Sequence, residues 1–269
     1  MTATQGRTAV RGGGAASALP ESLRQAWGVT PPPRAGRRPG LTVAQIVDAA
    51  VELADADGLA ASSMPRVAAH LGVGTMSLYR YVTAKNDLLT LMLDAATGPV
   101  PDDAPTAQTW RRVLTYYATC GMDRYQRRPW MLDVPIEGFP QTPHLLSWLE
   151  LGLATLARAG LAGQQQLGAM LLLDSHVNAT ARLARAGGQA TTRRSEPPVE
   201  LMDPAGYPAL ISLINAGALR DDALGDYGFQ FGLDRILAGI ELLMHQPGSS
   251  AGTDGVTPAD LRGRGQRRG

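Results

Sequence analysis

Apolar residues recur with helical spacing along most of the chain after residue 41. The first such segment carries Ile46, Ala50 and Leu53 on one face, and Thr42 with Gln45 forms a Thr-x-x-Gln capping box at its start. The alternation typical of strands is absent, and β-branched residues are sparse. We therefore predict an all-α protein with helices at 42–58, 63–71, 75–82, 85–97, 106–127, 141–159, 163–186, 205–217 and 225–245.

The stretch Leu71–Val82, LGVGTMSLYRYV, places a short helix directly after a glycine-containing turn. Two short helices joined by such a turn, behind a third helix that braces them, form a helix-turn-helix. Leu78 and Val82 are spaced i and i+4, which predicts that they face the core together with Val73. The other side chains of this helix then point outward, where they can contact base edges in a DNA major groove: Thr75, Met76, Ser77, Tyr79, Arg80 and Tyr81.

Short helical hairpins are common, so the same spacing also fits a solvated helix on an ordinary α-helical core. A solvated face normally carries glutamate, lysine or glutamine, whereas this one has two tyrosines flanking Arg80. The rival class of protein is an α-helical small-molecule carrier or enzyme whose N-terminal helices only resemble a helix-turn-helix. Such a protein has no use for groove-facing side chains beside a basic arm.

Basic residues concentrate at both ends of the chain, although the formal net charge is only +1. Residues 1–40 contain six arginines and one acidic residue, while residues 42–97 contain six acidic residues and three basic ones. Because nonspecific DNA affinity comes mainly from neutralising phosphates, we expect Arg37 and Arg38 in the N-terminal segment to contact DNA. The alternative is that this proline-rich segment is only a solvated linker.

Residues 42–96 resemble the DNA-binding domain of the tetracycline-repressor (TetR) family. The matching pieces are IVDAAVELADADGL, VAAHLGVGTMSLYRYV and KNDLL, in the family's order and spacing. The resemblance implies DNA contacts by the outward residues of 75–81 and a phosphate contact by Lys85. Some relatives have a DNA-contacting arginine where this chain has Pro65, and the neighbouring Arg66 can replace it. The resemblance also implies a transcriptional repressor that a small molecule releases from its operator.

The proline-containing segment 98–105, GPVPDDAP, separates two domains. Within the N-terminal segment, residues 19–28 can form a short helix with Trp27 as its anchor. The predicted parts are a flexible basic arm at 1–40, a helix-turn-helix DNA-binding domain at 41–97, a helical effector-binding and dimerisation domain at 104–245 and a disordered basic tail at 246–269.

Half of the 14 aromatic residues lie within 110–148. Together with methionines, whose side chains adapt to varied ligands, they indicate a pocket for a small apolar or aromatic effector. On the helix at 163–186, Asp174 and Asn178 continue an apolar stripe, so each requires a polar partner or orients a ligand. Plain core packing is the alternative for all these side chains. The candidate ligand-binding residues are Trp110, Tyr117, Met122, Trp130, Trp148, Met170, Asp174 and Asn178.

A palindromic operator is read by two helix-turn-helix units related by a two-fold axis, so we expect a homodimer. The helix at 225–245 has an apolar stripe wider than one side of a monomer core needs, and its segment FGLDRILAGIELL resembles the dimer-forming last helix of the family. The alternative is that this is simply the last core helix. The candidate interface residues are Leu210, Leu213, Phe229, Gly232, Leu233, Ile236, Gly239, Ile240 and Leu243.

Other chemistries have little support in the sequence. Cys120 is the only cysteine and the four histidines lack metal-ligand spacing, so we expect no disulfide, no metal and no cofactor. No Ser–His–Asp or glycine-rich phosphate motif stands out, and we do not expect an enzyme. No apolar run approaches the roughly 18 residues that span a membrane, and no signal peptide is evident, so we expect a cytoplasmic protein.

Overall fold

A computed structural model describes residues 21–29, 41–135, 138–139, 141–189, 199–217 and 226–245. These described residues contain ten α-helices and no strand, which confirms the predicted all-α class. The helices are α1 (Glu21–Ala26), α2 (Val43–Asp57), α3 (Met64–His70), α4 (Thr75–Leu78), α5 (Lys85–Thr97), α6 (Trp110–Arg127), α7 (Pro143–Arg158), α8 (Gly163–Gln189), α9 (Pro208–Asn215) and α10 (Asp226–His245). Short 3-10 helices occupy Leu59–Ala61, Pro129–Asp133 and Val199–Leu201.

The start of α2 is held by the predicted capping box. The Gln45 backbone N–H donates to the Thr42 hydroxyl at 3.2 Å, and the Thr42 N–H donates to the Gln45 side chain at 2.9 Å. The helix ends at Gly58, whose φ of 82° lies in the left-handed region that favours glycine. The box and the glycine therefore define both ends of this helix locally, as the sequence predicted.

The helix α4 ends four residues earlier than predicted, at Leu78. The N–H of Tyr81 donates to the Leu78 carbonyl at 2.8 Å, an i to i+3 bond that tightens the chain into a turn. The N–H of Val82 donates to the same carbonyl at 2.9 Å, and both Leu78 and Val82 are fully buried. Their predicted role in the core is confirmed although the helix is shorter.

The first core lies between α2, α3, α4 and α5 and is built from fully buried side chains, among them Ile46, Val67, Leu88 and Met92. It also contains residues from the 3-10 helix after α6 and the residue following it. Pro129 cannot continue α6, and the chain turns there toward the N-terminal helices. The N-terminal core is therefore completed by residues assigned from sequence to the second domain: Trp130, Met131 and Val134.

The second core is formed by α6, α7, α8 and α10, with α8 contacting all three of the others. Two glycines permit the closest approaches between these helices. A Cβ atom at Gly152 would overlap the side chain of Met170, and one at Gly232 would overlap the His176 ring. The spacing of α7 and α10 from α8 thus depends on the missing side chains.

The helix α1 packs on the first core, so residues 21–26 are not part of a flexible arm. Leu23 is buried and is the anchor, whereas the predicted anchor Trp27 is exposed and its indole N–H donates to the Gln141 carbonyl at 2.9 Å. Residues 1–20 and 30–40 of the predicted arm and the predicted tail lie outside the described residues. Among the described helices, none has the length and apolarity required to cross a bilayer.

Candidate functional site

The helix α4 and the two residues after it present an exposed surface next to the turn that contains Gly72. Met76 is 77% exposed and Tyr79 is 43% exposed, and Arg80 is also exposed. The Arg80 guanidinium lies 3.4 Å from the Ser77 hydroxyl, which orients it along this surface. The buried Leu78 holds α4 against the first core, so these outward side chains sit on a fixed scaffold.

The other predicted groove-facing residues are less exposed. Thr75 and Ser77 are half-buried, and Tyr81 is half-buried and packs against the first core. Tyr81 therefore differs from the expectation of a fully outward side chain, because the turn after Leu78 rotates it toward the core. The exposed surface is centred on Met76, Tyr79 and Arg80.

The predicted phosphate-contacting residues have different surroundings. Lys85 is exposed at the first position of α5. Arg66 forms an ion pair of 2.6 Å with Asp57, and both side chains are about half exposed. A phosphate contact by Arg66 therefore competes with Asp57. Arg37 and Arg38 lie outside the described residues.

A hydrogen-bonded cluster links the first core to the end of α6. The Trp130 indole N–H donates to the Asp55 carboxylate at 2.6 Å, and the Arg128 guanidinium donates to the same carboxylate at 3.1 Å. Arg128 also donates to the Ala96 carbonyl at 3.4 Å. Trp130 is buried in this cluster at the junction between the two units, which agrees with the alternative of core packing rather than with its listing as a candidate ligand contact.

A second link joins α5 to α7. The Asp94 side chain is 7% exposed and accepts hydrogen bonds from the backbone N–H groups of His144 and Leu145, each at 2.9 Å. These groups are unsatisfied donors at the start of α7, and Thr142 at the N-cap makes no side-chain cap. A carboxylate on one unit thus caps a helix of the other. Sequence reasoning missed it; the one signal was an aspartate within the apolar face of α5.

Aromatic side chains surround Arg124 in the middle of the second unit. The guanidinium of Arg124 lies 3.7 Å from the centroid of the Trp148 ring. Tyr116 and Tyr117 contact the same indole, with ring centroids 6.1 and 5.9 Å from it. The Trp148 indole N–H donates to the Gly98 carbonyl at 3.0 Å. Burial lowers the pKa of Arg124 from its ordinary value. Arg124 was not predicted as a site residue.

The polar residues on α8 have partners in the protein. The Tyr117 hydroxyl donates to Asp174 at 2.8 Å, and the Asn178 amide contacts the Tyr125 hydroxyl at 3.4 Å. Desolvation, and then the charge of Asp174, raise the pKa of Tyr117 well above its ordinary value, so its hydroxyl stays protonated. Desolvation also raises the pKa of Asp174, although the residue retains contact with solvent. The requirement for a polar partner is therefore met without a ligand.

The remaining predicted ligand residues lie in or beside the second core, where Met122 and Met170 are buried and Trp110 is half-buried. An open cleft of about 600 Å³ lies between the two units. Trp148 lines it, while the other predicted ligand residues do not. Its walls are Asp55, Ala95, Ala96, Thr97, Gly98, Pro99, Pro101, Cys120, Arg124, Arg127, Arg128 and Trp148.

The predicted dimer residues divide into two groups. Phe229, Leu233 and Ile240 are buried in the protomer's own second core, so their assignment to a surface between protomers is wrong. Gly232 faces His176 of the same chain but is half-exposed. The residues that keep exposed or half-exposed surface are Leu210, Leu213, Gly232, Ile236, Gly239 and Leu243.

Comparison with known proteins agrees with this architecture. The sequence profile described as "Bacterial regulatory proteins, tetR family" matches residues 46–92, and "Tetracyclin repressor-like, C-terminal domain" matches residues 101–244. The HTH-type transcriptional repressor DrrR1 of Streptomyces coeruleorubidus is 36% identical over 241 residues, which cover 85% of this chain and 87% of that protein. The chain belongs to the tetR family.

Solved structures show the tetR fold over most of the chain. Apo ActR from Streptomyces coelicolor superposes with a TM-score of 0.65 and is 23% identical, covering 77% of this chain and all of ActR. ActR in complex with actinorhodin gives a TM-score of 0.61 at the same identity and coverage. As a tetR-family member, the protein is a DNA-binding transcriptional regulator, and the rival interpretation as a carrier or enzyme is not favoured.

Proposed function

We propose that this protein represses transcription as a homodimer on a palindromic operator in the cytoplasm and is released by a small apolar or aromatic effector. The observation that carries the proposal is the exposed surface of Met76 on α4 and of Tyr79 and Arg80 directly after it, beside the fully buried Leu78. Similarity to a named repressor over most of both chains supports repression as the outcome.

Base readout by α4 and the two residues after it follows from the chemistry of their exposed side chains. An arginine can donate two hydrogen bonds to guanine, a methionine can pack against a thymine methyl group, and a tyrosine hydroxyl can donate to a phosphate. We expect Arg80→Ala to weaken operator binding by about 1–3 kcal/mol while the fold is retained. The assay is fluorescence anisotropy with DNA from the region upstream of the protein's own gene.

Arg112→Ala is the matched control, because Arg112 is an exposed arginine on α6 of the second unit. It removes the same charge at a distance from α4 and should leave the affinity unchanged. Equal losses in both variants would mean that Arg80 acts only through net charge. Unchanged affinity in a folded Arg80→Ala protein would remove Arg80 from the DNA-binding surface.

The proposed dimer forms through the outer faces of α8 and α10. Tyr227, Phe231 and Leu242 on α10 are exposed by 65, 54 and 66%, and Leu172 on α8 is 54% exposed. Exposed apolar groups that share one face of a helix are typical of a protein–protein interface. A second copy of this chain, related by a two-fold axis, would bury this face against its own. The half-exposed Ile236 and Leu243 border this surface.

Phe231→Glu combined with Leu242→Glu tests this interface, because both side chains are exposed within the protomer and their replacement leaves the core intact. We expect a folded monomer in light scattering, with weaker binding to a full palindrome. Leu201→Glu is the control, since Leu201 is 84% exposed outside α8 and α10. A double variant that remains dimeric would place the interface elsewhere.

Effector control is supported by the position of the cleft between the two units. Its walls include the end of α5, which carries Asp94, and Arg128, which is bound to Asp55 on α2. An effector that binds one arrangement of these units more tightly shifts the population toward it, and thereby changes the separation of the two reading helices. The ActR complex with actinorhodin provides a neighbour of the same fold with a bound small molecule.

A further inference from the structure

Arg124 lacks the carboxylate partner that three other described arginines of the second unit have. Arg111 pairs with Glu241 at 2.6 Å, Arg128 with Asp55 at 3.1 Å and Arg185 with Asp133 at 2.8 Å. Within the described ranges, no carboxylate lies at ion-pair distance from Arg124, and its principal contact is the Trp148 ring. A half-buried guanidinium thus faces the cleft without a compensating negative charge from those residues.

The charges around the cleft are unbalanced. Three arginines and one aspartate line it, and the aspartate, Asp55, is already bound by Arg128 and the Trp130 indole. Arg127 donates to the Asp123 backbone carbonyl at 3.2 Å, a neutral acceptor. Two guanidinium groups, those of Arg124 and Arg127, therefore set a positive potential at the cleft. Charges placed in a partly enclosed site act more strongly than charges in bulk water.

Another part of the cleft lining is apolar. Ala95, Ala96, Pro99 and Pro101 belong to it, contributed by the end of α5 and the segment after it. Prolines and alanines expose no hydrogen-bonding side chains, so this wall suits an apolar body. The cleft volume of about 600 Å³ lies within the range of known small-molecule sites, which is roughly 300–1,000 Å³.

A structural role for Arg124 as a cover for Trp148 is the simpler explanation. A cation–π contact compensates only part of the cost of removing a guanidinium from water, and burial lowers the pKa of Arg124. A leucine or methionine side chain could cover the indole without that cost. The placement of the charge toward an apolar-walled cleft favours a second function.

We infer that the cleft binds an organic acid with an aromatic or apolar body, its carboxylate held by Arg124 and its body lying against the wall of Ala95, Pro99 and Pro101. This inference rests on the proposed effector control and assigns the chemical class of the effector and its anchoring residue. Arginine is suited to the role because its planar guanidinium binds a carboxylate through two parallel hydrogen bonds.

The location also explains how such a ligand would act. Arg124 belongs to α6, while Ala95 and Ala96 belong to α5, the last helix of the DNA-reading unit. A ligand between them spans both units and sets their separation. The Asp94 cap on α7 lies on the same helix as this wall, so a shift of α5 is transmitted to the second unit.

The experiment uses 2-naphthoate and biphenyl-4-carboxylate as probes, each with its neutral primary amide. Isothermal titration calorimetry on the full chain compares the wild type, Arg124→Gln and the control Arg112→Gln. We expect the wild type and the control to bind the acids. The amides, and both acids with Arg124→Gln, should bind roughly 10- to 100-fold more weakly, as expected for loss of a charge-assisted bond.

Comparison of acid and amide on the wild-type protein does not depend on the folding of any variant. The inference would be overturned if the wild type bound acid and amide with equal affinity, or if it bound no acid at millimolar concentration. It would also be overturned if Arg124→Gln bound the acids as tightly as the wild type does. Operator binding of the unliganded wild type is measured in parallel. Loss of DNA binding there refutes the proposed regulator, whereas intact DNA binding without acid binding refutes only the assigned effector class.

Discussion

Replacement of Asp94 by alanine should destabilise the protein strongly, because this carboxylate caps a helix of the other unit. Its oxygen accepts from the N–H groups of His144 and Leu145 at 2.9 Å, and the residue is only 5% exposed. The His144 ring nitrogen lies 3.2 Å from the second carboxylate oxygen. Alanine would leave two N–H groups at the start of α7 without this acceptor.

The magnitude follows from those two bonds. Loss of a helix N-cap costs about 0.5–2 kcal/mol, and each buried donor left unsatisfied costs about 1–3 kcal/mol. Because water can reach the half-buried α7 terminus in part, we expect a loss of about 2–4 kcal/mol for Asp94→Ala. Asp94→Asn keeps an acceptor and loses mainly the charge–dipole attraction, so its loss should be about 1 kcal/mol.

Urea unfolding followed by circular dichroism measures these differences, provided that the slope with denaturant is unchanged. Thr142→Val is the control, since the Thr142 hydroxyl is buried without a hydrogen-bond partner among the described residues and makes no cap. It alters the same helix start and should be neutral or slightly stabilising. The reasoning would be refuted by an Asp94→Ala protein within about 0.5 kcal/mol of the wild type, or by equal losses in the alanine and asparagine variants.

Three further predictions concern pH and packing. Gly232→Ala should lower the free energy of unfolding by about 1–3 kcal/mol, measured by thermal unfolding, because the added methyl group overlaps His176. Gly168→Ala is the control, since Gly168 lies in open space on α8 and its replacement should not destabilise the protein. Similar results for both variants would contradict the packing argument. Arg185 lowers the pKa of Asp133 through hydrogen bonds, so the ion pair stabilises the wild type at neutral pH and this stabilisation is lost as pH falls through the lowered pKa. The stability of Asp133→Asn should therefore fall less on acidification, measured by unfolding at a series of pH values. Identical pH profiles would show that the pair does not contribute to stability. Desolvation raises the pKa of Asp174, but the residue is exposed, so water screens much of the cost of its ionisation. Asp174→Asn should gain at most a small amount of stability relative to the wild type at neutral pH and none near about pH 4, and a large gain at neutral pH would contradict this.

Local signals in the sequence determined the helices and the division of their faces. The Thr42–Gln45 capping box and Gly58 define α2 because both act through bonds within a few residues. The i and i+4 spacing of Leu78 and Val82 identified the inner side of the reading segment, since burial of a neighbouring pair requires no knowledge of the partner helix. The exposed Met76, Tyr79 and Arg80 followed from the same pattern.

Only the tertiary structure decided which apolar face meets which. The stripe on α10 was recognised from sequence, but Phe229 and Leu233 pack on α8 of the same chain, and the exposed Phe231 and Leu242 lie on the other side. Periodicity shows that a face is apolar and contains no information on what covers it. Close packing between distant segments, such as Gly232 against His176, makes that choice.

The contacts between the two units were likewise beyond the sequence. Asp94 and His144 are 50 residues apart, and Asp55 and Trp130 are 75 apart, so no local spacing predicts either bond. Arg124 reads in the sequence as one more charged residue at the end of a helix. Its role depends on the contact with the Trp148 ring and on the lack of a carboxylate partner among the described residues. Both features are defined only when α6 and α7 pack together.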